Sequence, residues 1–174
     1  LMGGLGAALA APAALFLSDP LRRRRRQGGA GEGAGGADTG AGEVQSVPLA
    51  RIAEVPDLDR GERPLRQGVV ARDVRDAWGR LPEVRLGSVW LFRRGSELSC
   101  LSTVCPHAGC AIDYDEKRNL FACPCHTSTF GLDGRRREGP SPRDMDSLEV
   151  EVKDGQVRCR YQRFRLAVAG KEPV

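Results

Sequence analysis

Both histidines of this 174-residue chain, and four of its six cysteines, fall between Cys105 and His126. The text reads C-P-H-A-G-C, then a charged excursion, then C-P-C-H-T-S-T-F ending at Phe130. Cys105 and His107 stand two apart, Cys123 and His126 three apart, and fifteen residues separate the two pairs. Cys110 and Cys125 form a third pair, one in each short stretch. Gathering the only imidazoles beside thiols calls for metal chemistry, and bringing four donors together constrains how the surrounding chain can fold. Two thiolates and two imidazoles suit tetrahedral zinc or iron–sulfur coordination. Zinc modules usually take both ligands of a knuckle from a C-x2-4-C pair. Here each stretch pairs one Cys with one His, and a four-ligand zinc site leaves two thiols over. Six cysteines could also make three disulfides, but the histidines would then stand beside them by chance.

The rest of the chain divides by composition. Residues 1–21 open with Leu1 to Leu17, uncharged and rich in Ala, Gly and Leu. As a helix this stretch spans roughly 26 Å, a little short of a ~30 Å hydrocarbon core. It reads as a transmembrane anchor cut short at its N-terminus, ahead of a signal-peptide core with a cleavage site near Ala8-Leu9-Ala10; a soluble helix would lack a polar face. Residues 22–43 hold the run Arg22 to Arg26 and a Gly/Ala tract that can bury no core, a flexible tether. Net charge is +4, but without the five arginines it is −1, which argues against a nucleic-acid partner. The positive-inside rule would put the arginines in the cytoplasm.

From residue 44 to residue 174 strand-like runs alternate with turn residues. Expected strands are Gly68 to Val74, Ser88 to Arg94, Glu97 to Val104, Asn119 to Ala122, Leu148 to Val152 and Val157 to Phe164. Arg93-Arg94-Gly95-Ser96 and Lys153-Asp154-Gly155-Gln156 read as hairpin turns. No stretch has three amphipathic helical turns. These patterns point to an all-β domain of antiparallel strands, sandwich-like, with the Cys/His stretch as protruding loops.

C105-P-H107-A-G-C110 followed by C123-P-C125-H126-T-S resembles the signature of the Rieske [2Fe–2S] proteins that carry a disulfide. The resemblance implies a Rieske fold with a cluster-binding subdomain over about 103–142. It implies Cys105 and Cys123 on one iron, His107 and His126 on the other, and a Cys110–Cys125 bridge joining the two loops. Histidine in place of two cysteines raises the potential of such centres to roughly −150 to +300 mV. Gly139-Pro140-Ser141-Pro142 resembles the family's proline loop, and Ser128 the serine that hydrogen-bonds a bridging sulfide. The resemblance further implies the iron–sulfur subunit of a respiratory quinol:cytochrome c oxidoreductase, an electron carrier beside b-type and c-type cytochrome subunits. It would take an electron and a proton from quinol at His107 or His126, its head on the periplasmic or outer face of a bacterial cytoplasmic membrane. A disulfide fits that oxidising side. The alternative is the Rieske subunit of another periplasmic oxidase, such as an arsenite oxidase.

Three positions depart from the family pattern. Phe130 stands where a tyrosine commonly donates to a ligand sulfur, so a lower potential and menaquinol rather than ubiquinol are expected. Ala108 replaces a larger apolar residue that meets the quinol pocket. Thr127 replaces a glycine; if that position needs positive φ, threonine is costly and the loop is expected to differ. Cys100 and Cys159 fall in expected strands as buried thiols, or as a second bridge if those strands adjoin.

Overall fold

In a computed structural model the described residues are 46–174. The expected anchor over 1–21 and the tether over 22–43 lie outside them. Among the described residues, no helix is long and apolar enough to cross a membrane. All regular structure there is antiparallel strand, apart from two short 3-10 turns at Ile52–Glu54 and Leu58–Arg60.

Three sheets form. β1 (Ser46–Arg51), β9 (Glu149–Lys153) and β10 (Gln156–Arg160) make one, with β10 in the centre. β2 (Leu65–Asp76), β3 (Gly79–Arg94) and β4 (Glu97–Ser102) make the second, with β3 in the centre. A small third sheet runs β5 (Asp113–Asp115), β6 (Leu120–Ala122), β7 (Thr129–Phe130) and β8 (Arg136–Glu138).

The four apolar residues Val89-Trp90-Leu91-Phe92 explain how the sheets share the molecule. Successive strand side chains point to opposite faces, so an unbroken apolar run needs cover on both. Val89 and Leu91 enter a core with Val47, Val69, Leu148 and Val157, contributed by the first two sheets. Trp90 and Phe92 enter a second core with Ile112, Phe121 and Phe130, beside the Cys/His loops. β3 is thus the wall between a basal sandwich and the site. At roughly 1.5–3 kcal/mol for each large apolar side chain buried, both cores contribute heavily to stability.

Both expected hairpin turns are present. Arg94 pairs with Glu97 across Gly95, and Lys153 pairs with Gln156 across Asp154 and Gly155, both at positive φ. Strand limits differ from expectation. β2 and β3 extend to a tip at Ala77-Trp78, because their outer halves pair with one another although their side chains face water. Pro82 is tolerated there because that half of β3 has a single partner strand, and Asp73 opposite departs to φ 59°. β10 ends at Arg160 rather than at Phe164, which instead bridges to Pro173. Cys100 and Cys159 are buried free thiols whose sulfurs lie 3.8 Å apart between the first two sheets. The contact with Cys159, and burial, hold the Cys100 thiol well above its ordinary range.

Candidate metal centre

Two loops closed in the same way carry the cysteines and histidines. In the first, the Cys105 N–H donates to the Cys110 carbonyl at 2.8 Å and the Gly109 N–H donates to the Cys105 carbonyl at 2.9 Å. Gly109 makes this turn at φ 78°. In the second, the Cys123 N–H donates to the Ser128 carbonyl at 2.8 Å, just beyond the Ala122–Thr129 strand pair. Cys110 and Cys125 are joined by a disulfide, so the loops are covalently tied. Trp90 anchors the first loop from below, its indole N–H donating to the Ile112 carbonyl at 3.0 Å.

This closure sorts the donors by depth. Cys105 and Cys123 are 1 % and 3 % exposed, facing the core beneath. His107 is half-buried and His126 exposed, their rings nearly perpendicular with centroids 4.8 Å apart. Burial pushes the Cys105 thiol up, and the adjacent Cys123 sulfur adds to this; the N–H groups of His107 and Ala108 pull the other way. Metal binding would have to draw the proton from the Cys105 thiol against that burial. The Cys123 sulfur also lies within 4.8 Å of both bridge sulfurs. Once joined, those two have no thiolate to lend, so that trio is not a ligand set.

The remaining site residues lie close by. Ser128 is fully buried, and its Oγ accepts the Ser141 N–H at 3.0 Å. Gly139, at φ 87°, presses on Ser128: a Cβ there would sit 2.4 Å from the Ser128 Cα, so no side chain fits without moving backbone. Pro140 and Pro142 flank Ser141 and are exposed. Phe130 is fully buried in the core that holds Cys105 and Cys123. Ala108 is exposed. Thr127 adopts a positive φ of 61°, the costly region for a β-branched residue, and its hydroxyl donates to the His126 carbonyl at 2.7 Å.

Comparison with known proteins decides the family. The Rieske [2Fe-2S] domain model matches residues 46–150. The menaquinol:cytochrome c reductase iron-sulfur subunit of Geobacillus thermodenitrificans is 32% identical over 120 residues, 66% of this chain and 68% of that protein. Its Bacillus subtilis counterpart is 39% identical over 84 residues, 46% of this chain and 49% of that one. The cytochrome b6-f complex iron-sulfur subunit of Chlorobaculum tepidum is 31% identical over 87 residues, 50% of this chain and 48% of that one. The match to the last two spans about half their length.

The chain belongs to the Rieske [2Fe-2S] family.

One [2Fe–2S] cluster is the cofactor of a Rieske domain. Two neighbouring buried sulfurs below and two imidazoles above make a donor set whose types would fit such a cluster. The same four donors would suit zinc, and membership of the Rieske family decides between the two. Reading the sequence assigned no site role to Trp90 or Gly109, and placed Ser141 in the proline loop without its hydrogen bond to Ser128. Gly109 carried a signal, since a glycine inside a six-residue Cys-to-Cys loop marks a turn. Trp90 carried none, because its role depends on what the fold brings beside it.

Proposed function

We propose that this chain is the electron-transfer iron–sulfur subunit of a respiratory quinol:cytochrome c oxidoreductase. Cys105 and Cys123 hold one iron, and His107 and His126 hold the other. The observation that carries this reading is the depth order of the donors: sulfurs sealed against the core, one imidazole open to solvent. When bound, the cluster supplies one-electron redox chemistry. The exposed His126 ring offers the polar contact that a quinol hydroxyl needs, with its free ring nitrogen accepting the proton that leaves the quinol. His107 beside it is the second candidate for that contact.

Menaquinol is the favoured donor. Phe130 brings no hydroxyl to the core that holds the two ligand sulfurs, which lowers the potential. Two relatives also bear the name menaquinol:cytochrome c reductase iron-sulfur subunit. The head works on the periplasmic or outer face, where the Cys110–Cys125 bridge persists. The partners of the head on this reading are a cytochrome b-type subunit and a c-type cytochrome. Purification of the complex through a tag on this chain tests the assignment. The expected result is co-purification of b-type and c-type haem, with menaquinol-driven cytochrome c reduction that His126→Ala abolishes. A molybdenum-containing oxidase without haem b would contradict it.

A further inference from the structure

A second connection joins the two Cys/His loops, independent of the disulfide, and it passes through Arg143. On one side Arg143 directly follows the Gly139–Pro142 segment: its carbonyl accepts the Ser141 hydroxyl at 2.8 Å, and the Ser141 N–H donates to Ser128 Oγ. On the other side its guanidinium turns inward. Nε and Nη2 donate to the two Asp146 carboxylate oxygens at 3.0 and 2.9 Å, and Nη1 donates to the Val168 carbonyl at 2.7 Å. The residue before Val168 completes the path: the Ala167 N–H donates to the Pro106 carbonyl at 2.8 Å, between Cys105 and His107. Leu166 lies against Gly109 in the same loop, near enough that a Cβ on Gly109 would be 3.0 Å from its Cδ1.

The burial of the pair separates it from an ordinary surface contact. The Arg143 and Asp146 side chains are 8% and 5% exposed. Exposed ion pairs contribute little, whereas a desolvated pair costs stability unless its geometry is excellent and its remaining polar atoms are satisfied. Here the fork is bidentate, a third guanidinium hydrogen bond goes to a carbonyl, and no buried side-chain polar atom among the described residues lacks a partner. Such a pair specifies geometry more than it adds stability.

We propose that Arg143 is a positioning residue: paired with Asp146, it clamps the Gly139–Pro142 segment and the C-terminal segment onto both Cys/His loops and so fixes the Ser128 hydroxyl toward the cluster. The proposal rests on the ligand assignment above and adds to it a second-layer device. The reduction potential of the anaerobically purified full chain is the readout, with iron and sulfide content measured on the same samples. Arg143→Met is expected to retain the cluster and lower the potential by about a tenfold change in the reduced-to-oxidised ratio, ~59 mV for one electron. Arg143→Lys, which keeps charge but loses the fork, is expected to fall between. In a Ser128→Ala background Arg143→Met is expected to change the ratio less than twofold, because the two act through one hydroxyl. If Arg143→Met does not fold, the uncharged pair Arg143→Met/Asp146→Leu and truncation after Phe164 are read the same way. An unchanged potential at full iron content overturns the clamp, as does an equal shift with or without Ser128. Absence of iron from the parent protein overturns the ligand assignment instead, and the clamp with it.

Discussion

The Oγ of Ser128 accepts a backbone N–H from Ser141 in a fully buried setting, so its own proton is free to be donated elsewhere. On the proposed function, a Ser128 hydroxyl donating to the bound cluster would stabilise its more negative, reduced state. Hydrogen bonds to charged acceptors contribute about 1.5–3 kcal/mol, so Ser128→Ala is expected to lower the potential by an amount of that order. It also leaves the Ser141 N–H without its acceptor, and unfolding by denaturant should show about 1–3 kcal/mol lost. Loss of stability with an unchanged potential would limit Ser128 to a structural role. Phe130 poses the opposite case. It is fully buried beside Cys105 and Cys123, with a ring edge and no donor. Phe130→Tyr is expected to raise the potential, at about 1–3 kcal/mol of overpacking in a filled core. A redox titration showing no rise would remove Phe130 from the case for menaquinol.

The loops and strands were legible in the sequence to different degrees, for physical reasons. Val89 to Phe92 announce a strand because four consecutive apolar residues need cover on two faces, and each face found a core. The outer half of β3 was hidden by Pro82 and by exposed charges, since ladder pairing alone holds it. Strands of two or three residues such as β5, β7 and β8 leave no periodic trace; the loops they close bring them into register. The pairing of Arg143 with Asp146 left no trace in the sequence, because it includes a contact with the Val168 carbonyl of the distant C-terminal segment. The bridge between the two loops gives a prediction at this scale. Cys110 and Cys125 are 15 apart in sequence, and closing a loop of that length stabilises by about 3 kcal/mol in the chain-entropy view. Cys110→Ser/Cys125→Ser is therefore expected to lower stability by about that amount. Its cluster should also be lost faster on warming, as read by bleaching of visible absorption. Equal melting of the variant and the parent would show that the backbone contacts hold the loops alone.

Across the whole described domain the division of labour runs along β3. The basal sandwich forms one core, the Cys/His loops and the small sheet cap a second, and the strand between them contributes alternate side chains to each. This arrangement puts Cys105 and Cys123 at the base of the loops, with His107 half-buried and His126 exposed above them. The sequence carried the Cys/His clustering and, through the resemblance, the donors proposed above. It did not carry their depth, which depends on Trp90, Phe121 and Phe130 filling the space below. The assignment of Cys105, Cys123, His107 and His126 as the ligands is the central claim. Pulsed electron paramagnetic resonance of the reduced full chain, purified without air, tests it most directly. The expected result is two irons and two sulfides per chain, no zinc, and magnetic coupling to two imidazole nitrogens that falls to one in His126→Cys. A zinc-only protein, or a cluster with no nitrogen coupling, would contradict it.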